Sequence, residues 1–314
     1  MKRTILIIAI FAAVFFVTGC RPDNNALQNP NGKINVVTTN FPPYDFVRQI
    51  AGDKVNLVML LPPGSESHSF EPTPRDIITV QNSDIFIYGG GESDEWVNRI
   101  LGSMNTDKMK ILSMMDSVEP VEEETVEGMQ EEEEGEEEPA YDEHVWTSPR
   151  NVILIVSSIT ELLCEADAAN AEFYRKNSAS YIESLNKLDA AFKDLVAGAK
   201  RKTIIFADRF PFRYFVEAYG LSYYAAFPGC STETEPSAAT VAFLINKIKA
   251  ERIPVVFHIE LSNERMADTI SRETGAKKLL LNSAHNLSKR DFDSGQSYLE
   301  IMRSNVETLR EALY

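Results

Sequence analysis

The segment from residue 168 to residue 200, "AANAEFYRKNSASYIESLNKLDAAFKDLVAGAK", holds no proline and only one glycine, near its end. Its apolar residues recur at mostly three- and four-residue spacings, the period of one face of a helix. They are Phe173, Tyr181, Leu185, Leu188, Phe192 and Leu195. The pattern predicts a helix of roughly thirty residues, about 45 Å long. Such a helix is too long for one ordinary lobe, so we expect it to run along two lobes and join them.

Short β-rich runs alternate with helical stretches on both sides of this segment. The runs before it are "KINVVTTN", "VNLVMLLPPG", "DIFIYGGG" and "KMKILSM", and those after it are "KTIIFAD", "LSYYAAFPG", "IPVVFHIE" and "AKKLLLNS". This alternation is typical of α/β sheets. The sequence therefore predicts an α/β protein of two lobes, each a mostly parallel sheet flanked by helices. The predicted boundaries are 33–166 for the N-terminal lobe, 167–200 for the connecting helix and 201–314 for the C-terminal lobe.

The first twenty residues are typical of an export signal. A basic start is followed by fourteen apolar residues from Thr4 to Val17, which is shorter than the ~20 residues of a membrane span. The run ends in Val17-Thr18-Gly19-Cys20, which resembles the bacterial lipobox, where a cysteine is lipidated and becomes the new N-terminus. We expect a signal peptide at 1–20, lipid on Cys20, a linker at 21–32 and a protein anchored to the outer face of the cell membrane. A plain signal peptide with an incidental cysteine is the alternative.

The net charge of −16 is concentrated in one loop. Between Asp116 and Glu143 there are fifteen Asp and Glu and no Lys or Arg, so the loop 116–143 carries −15 and the rest of the chain is nearly neutral. Without a basic patch, nucleic acid is not expected as a partner. A like-charge block cannot bury apolar surface, so we expect this loop to be solvated and disordered. The alternative is that its carboxylates attract divalent metal ions weakly.

The chain has only four histidines, and three of them follow predicted strands. His68 lies in the loop after the second strand, His144 follows the fourth strand and the acidic loop, and His285 follows "KKLLLNSA". In open α/β sheets, ligands bind at the carboxyl ends of the strands. These histidines, drawn from both halves, therefore indicate a metal site in a cleft between the lobes.

Three further candidate ligands lie near strand ends in the second half. Asp208 comes directly after "TIIFA", and His258 and Glu260 lie at the end of "PVVFHIE". Imidazole nitrogens with one carboxylate suit a closed, four-coordinate zinc site. More oxygen ligands would shift the preference toward manganese.

Four stretches resemble a known family. They are "PPGSESHSFEPTPRD", "DEHVWTSPRN", "AYGLSYYAAFPG" and "SYLEIMRSNVETL", and they span essentially the whole chain after the signal. In these stretches the chain is similar to the solute-binding lipoproteins of zinc/manganese ABC transporters, of the zinc-uptake type. The resemblance implies two α/β lobes joined by one long helix, in agreement with the fold predicted above from the alternating strands and helices. It also implies a metal ion bound between the lobes by ligands from both.

The resemblance extends to individual ligands. His68 and His144 match the family's two ligands from the N-terminal lobe. The third family ligand is a His or Glu after the first C-lobe strand, where Asp208 is the nearest liganding group here. The fourth is usually an Asp in the last strand loop, where this sequence has His285. The implied site is Zn²⁺ on His68, His144, Asp208 and His285, with Glu260 and His258 as alternatives and manganese as an alternative metal.

The implied function is the extracellular metal-binding component of an ABC importer. Such a protein is no enzyme; it would capture Zn(II), act as a monomer and deliver the ion to a permease in the membrane. A metal-dependent hydrolase is one alternative, although the sequence has no His-Glu-x-x-His pair, Gly-x-Ser-x-Gly elbow or Gly-rich phosphate loop. A surface adhesin with a structural metal is another. Reversible, chelator-sensitive binding without turnover would favour transport.

Overall fold

The N-terminal half forms one parallel sheet. The computed structural model describes residues 32–129, 141–231 and 236–314, so the predicted signal peptide, Cys20 and the linker up to residue 31 lie outside the described residues. The strands are β1 (Asn35–Thr38), β2 (Asn56–Met59), β3 (Ile85–Tyr88) and β4 (Lys110–Ser113), and the helices are α1 (Phe41–Ala51), α2 (Pro74–Gln81), α3 (Glu95–Leu101) and α4 (Pro149–Ala166). All pairings are parallel, in the order β2-β1-β3-β4. The central strand β1, "NVVT", is buried at every position, as expected for a sheet covered on both faces.

The C-terminal half repeats this plan with two pairs of parallel strands. The strands are β5 (Thr203–Ile205), β6 (Ser222–Tyr224), β7 (Val255–His258) and β8 (Lys277–Leu280). The helices are α6 (Arg213–Tyr219), α7 (Ala238–Glu251), α8 (Arg265–Thr274), α9 (Lys289–Asp293) and α10 (Tyr298–Leu313). Strand β5 pairs with β6 and β7 pairs with β8, and a parallel bridge from Phe206 to Phe257 joins the two pairs.

The long helix α5 (Ala171–Ala197) packs against both halves. It contacts α1 and α4 on one side and α6 and α10 on the other. Leu185, Leu188 and Phe192 on its apolar face are buried, as the spacing predicts. At the first turn Tyr174 is the buried residue and Phe173 is 36% exposed, because Tyr174 Oη donates a hydrogen bond to Asp167. The predicted α/β fold with parallel sheets, flanking helices and one long helix is confirmed.

Part of the acidic loop is packed rather than solvated. In the segment 119–129, here called the strap, the backbone N–H of Val121 donates to Tyr214 Oη at 3.1 Å. Tyr223 donates to the carbonyl of Glu124 at 3.4 Å, and the Met129 side chain is only 7% exposed. The expectation of a disordered loop is therefore wrong for the strap, whose apolar residues reach the C-terminal half. Residues 130–140 lie outside the described part of the chain.

Two further structural observations concern export. Among the described residues, no helix combines the length and apolar character that crossing a membrane requires. Cys164 and Cys230 are both buried free thiols.

Candidate metal centre

Three histidines meet where the two halves join. His68 lies between β2 and α2, His144 lies before α4, and His285 follows β8. One ring nitrogen of each lies within 4.8 Å of the others, and within the described ranges this is the only such cluster of metal-ligating side chains. Tetrahedral zinc with Zn–N distances of about 2.1 Å holds its nitrogens roughly 3.4 Å apart. Small movements of the three rings would therefore bring their nitrogens to the spacing of three of the four ligands of such a site.

Asp142 orients the His144 ring. Asp142 Oδ1 accepts a hydrogen bond from the His144 backbone N–H at 2.8 Å and lies 3.2 Å from Nδ1. The opposite nitrogen, Nε2, is buried and has no hydrogen-bond partner among the described residues. A carboxylate that holds one imidazole nitrogen leaves the other free to bind a metal ion and raises its basicity. Nε2 is therefore the nitrogen of His144 that is free to bind a metal ion.

The His68 ring is positioned by Ser93 and Glu143. Its Nδ1 lies 2.8 Å from Ser93 Oγ and 3.7 Å from Glu143 Oε1. The backbone N–H of Ser93 donates to the other oxygen of Glu143 at 3.0 Å. The two residues that immediately precede His144 thus support two different histidines of the cluster.

His285 is presented by a strained turn. Ala284 has φ +58°, a left-handed conformation that costs a non-glycine residue about 1 kcal/mol. Glu260 stabilises this turn, because its carboxylate accepts hydrogen bonds from the backbone N–H groups of Ser283 (2.7 Å) and His285 (2.9 Å). Trp146 lies against the His285 ring with centroids 4.9 Å apart, and its Nε1 donates to the Ser283 carbonyl.

The three imidazoles differ in proton affinity. Burial lowers the pKa of His68 to about 2, with help from the nearby His144 and Arg209. Burial also lowers the pKa of His285, and His68 and His144 add to the effect. Burial opposes protonation of His144 as well, but the carboxylates of Asp142, Glu143 and Glu123 together outweigh burial, and the pKa of His144 is raised. Because imidazole binds metal in its neutral form, protons would compete with a metal ion at His144 more than at the other two histidines.

The structure does not bring Asp208 to the histidines. Asp208 Oδ1 accepts from the Arg209 backbone N–H at 2.9 Å and Oδ2 from that of Ile259 at 3.3 Å, so the carboxylate caps strand ends. His258 also lies off the cavity, with Nδ1 3.0 Å from the Ile259 carbonyl. Of the predicted candidates outside the histidine cluster, only Glu260 lines the same cavity.

The cavity between the histidines is small, at about 40 Å³. Gly229 forms part of its wall, where a Cβ would lie 2.9 Å from Asp142 Oδ2 and 3.3 Å from His144 Cε1. Only glycine allows the backbone to approach this closely. Because a single water needs roughly 10–15 Å³, the cavity has room for an ion with one or two small ligands.

Several residues that shape the site were missed by sequence reasoning. They are Ser93, Asp142, Glu143, Trp146 and Arg209. Asp142, Glu143 and Trp146 had a signal, since they flank His144 in "DEHVW". Ser93 and Arg209 had none, because nothing in their local sequence shows that they face a histidine.

Two α/β halves with parallel strands share one long helix and have a small histidine-lined cavity between them, which defines a solute-binding protein for a metal ion. The chain belongs to the family described as zinc-uptake complex component A, periplasmic, whose model matches residues 36–312. The predicted resemblance is therefore confirmed. The family consists of transport components, not enzymes, so the hydrolase alternative is not supported.

Individual relatives agree with this membership. The chain is 32% identical to the high-affinity zinc uptake system protein ZnuA of Bacillus subtilis, over 97% of this chain and 96% of the relative. It is also 32% identical to the zinc-binding lipoprotein AdcA of Streptococcus pneumoniae, over 99% of this chain but 61% of the relative. The chain thus spans about three fifths of that protein's length.

A solved structure shows the same fold. The crystal structure of the Zn(II)-bound ZnuA-like domain of Streptococcus pneumoniae AdcA matches with a TM-score of 0.75 at 31% identity. The match covers 90% of this chain and 99% of that domain.

Proposed function

We propose that this protein is the metal-binding component of an ABC importer, which captures one Zn²⁺ between its two halves and delivers it to a permease in the membrane. The observation that carries the proposal is the convergence of three imidazole nitrogens, from loops of both halves, on one buried cavity. Family membership supports the same function. Both relatives above are named for zinc uptake or zinc binding, and the solved domain of one of them holds Zn(II).

The proposed protein ligands are His68, His144 and His285. Three nitrogen donors favour zinc over manganese, which prefers oxygen ligands. Glu260 is better placed than Asp208 to add a carboxylate, because it lines the cavity. Its oxygens already accept hydrogen bonds from Ser283 and His285, so we assign it first the role of holding the His285 turn.

The proposal includes a location outside the cell. We propose that residues 1–20 direct export, that Cys20 carries lipid and that the protein works as a monomer on the outer face of the cell membrane. One relative is itself named a lipoprotein. An adhesin with a structural metal would hold zinc permanently, whereas an importer component must release it.

Equilibrium dialysis of the chain from residue 21 against a mixture of zinc and manganese, read by mass spectrometry, tests the function. We expect one zinc per chain, removed by a chelator without loss of the fold. A preference for manganese, or metal that leaves only on unfolding, would contradict the proposal.

Single alanine changes at His68, His144 and His285 test the ligand set. Each should weaken zinc binding by more than about 100-fold, because loss of even a supporting contact costs 10–100-fold. His258→Ala is the matched control, since His258 lies off the cavity, and it should bind like the parent. Titration calorimetry of the four variants decides the assignment. Parent-like zinc binding by any of the three cluster variants would remove that residue from the site.

A further inference from the structure

The strap lies across the joint between the two halves. On the N-terminal side it runs antiparallel to the segment before His144, where the Asp142 N–H donates to the Val121 carbonyl at 3.0 Å. On the C-terminal side its end fits against helix α7. Gly128 there has φ +83°, and a Cβ in its place would collide with the Phe243 ring. The strap is therefore attached both to the segment that carries His144 and to the opposite half.

One carboxylate of the strap reaches the wall of the metal cavity. Glu123 Oε1 accepts a hydrogen bond from the Cys230 backbone N–H at 2.8 Å. The preceding residue, Gly229, lines the cavity, and a Cβ on it would lie 3.3 Å from Cε1 of His144. Because Cε1 is bonded to Nε2, the Gly229 backbone packs beside the nitrogen that is free to bind a metal ion. Glu123 therefore holds the segment that covers this edge of the ring.

The wall is closed in the structure. The His144 side chain is completely buried, and the described residues leave no space for a water molecule between Glu123, Asp142 and Gly229. The ring therefore has no room to turn away from a bound ion while the wall is in place. Loss of an ion requires the ion and its ligands to separate, and the wall resists that separation on the side of His144.

We propose that the strap is a latch on the metal site, in which the hydrogen bond between Glu123 and Cys230 holds Gly229 against His144 and slows the release of bound zinc. The inference rests on the proposed function and adds a control on the rate at which the ion is given up. By linkage, a contact that stabilises the zinc-bound form is itself stabilised by zinc. Glu123 is then a positioning residue, since it acts on the ion through the cavity wall.

Zinc release rates of single variants test the latch. The purified, zinc-loaded chain is mixed with an excess of a chromogenic chelator, and release is followed by absorbance in a stopped-flow instrument. Glu123→Ala should release zinc roughly tenfold faster than the parent, the size expected for one hydrogen bond to a charged acceptor, while the association rate stays close to that of the parent. Glu123→Gln keeps an oxygen that can accept the Cys230 N–H, so its release rate should stay within about threefold of the parent rate.

Glu122→Ala is the matched control, because it removes the same charge from the adjacent position, where the side chain is exposed. It should release zinc at the parent rate. Equally fast release from Glu123→Gln and Glu123→Ala would show that the charge is responsible rather than the contact, and would overturn the latch. Release from Glu123→Ala at the parent rate would overturn it as well.

Hydrogen exchange of the parent tests the latch without any variant. Peptides that cover the strap should exchange more slowly when zinc is bound, because zinc stabilises the closed latch. Unchanged exchange in the strap, together with slower exchange around the three histidines, would contradict the latch and leave the proposed function standing. A parent chain that binds no zinc tightly would instead contradict the proposed function, and the latch with it.

Discussion

Asp142 and His144 form the contact that sets proton competition at the site. Burial disfavours the charged imidazole, but Asp142, with Glu143 and Glu123, outweighs burial and raises the pKa of His144. His68, with a pKa of about 2, and His285, whose pKa is also lowered, stay neutral at physiological pH. Zinc affinity should therefore fall as the pH drops through the raised pKa of His144. The same contact stabilises the metal-free fold below pH ~6.5, an effect lost as the pH rises through the folded-state pKa.

Asp142→Asn separates the two roles of this carboxylate, which are to raise the pKa of His144 and to support its ring as a ligand. Removing its charge lowers the pKa of His144, so the loss of zinc binding on acidification should move to lower pH. At pH 8 the variant should bind zinc roughly 10–100-fold more weakly, because an amide supports a ligating imidazole less well than a carboxylate does. Zinc dissociation constants measured from pH 5 to pH 8 check both effects. Asp208→Asn is the control, and an unmoved pH profile in Asp142→Asn would contradict the assignment.

At the residue scale, the sequence predicted the histidines better than their neighbours. His68, His144 and His285 follow strands, and parallel strands that end at one edge bring such residues together. Asp208 also follows a strand, but its carboxylate is satisfied by the backbone N–H groups of Arg209 and Ile259. Whether Asp208 or Arg209 enters the cavity depends on the path of the chain after β5, and no local pattern specifies that path.

At the element scale, α5 and α2 were predictable for different reasons. The three- and four-residue spacing of Leu185, Leu188 and Phe192 marks the buried face of α5. Helix α2 begins at Pro74, and its N-cap residue Thr73 forms a reciprocal capping box with Asp76. Both signals are local, so they can be recognised without knowledge of the rest of the fold.

The strap was wrongly predicted to be disordered because its high charge outweighed the few apolar residues that fix its position. Val121 and Met129 stand among glutamates, yet both pack against the main hydrophobic core. Lys247 also lies 3.5 Å from the Glu127 carboxylate. Average composition suggests a solvated loop, whereas the anchors and a few basic partners on the C-terminal half decide its position.

Met129→Ala tests the role of the strap in stability. Truncating a buried methionine typically costs about 2–5 kcal/mol, and we expect the free energy of unfolding to fall by an amount near the lower end.

Replacing Glu131–Glu138 with serine and glycine should leave unfolding in urea and tight zinc binding unchanged, because the proposed ligands lie elsewhere. A large loss of zinc affinity in the replacement would show that the acidic tract supplies a ligand.

At the scale of the whole molecule, we expect Cys20 to determine where the protein resides. Cys20→Ala removes the proposed lipid attachment and leaves the apolar run before it unchanged. We expect the variant to move from the membrane fraction to the soluble exported fraction, as followed by immunoblotting of separated fractions. Ser65→Ala serves as the unaffected control. A variant that stays in the membrane fraction with its signal peptide removed would show that the protein is held there in another way.

The last prediction concerns how zinc ties the two halves together. His68 and His144 come from the N-terminal half and His285 from the C-terminal half, so bound zinc should stabilise the folded chain as a unit. Free zinc at a thousandfold excess over its dissociation constant adds about 4 kcal/mol. For a chain of this size, that corresponds to a rise in melting temperature of roughly 10 °C.

Differential scanning calorimetry with zinc and then with excess chelator measures this stabilisation. The rise should disappear on chelation, and His285→Ala should lose most of it, because the ion is then held by the N-terminal half alone. His258→Ala should keep it. An equal rise in His285→Ala and the parent would place the metal within one half, since a ligand stabilises only the structure that its binding requires.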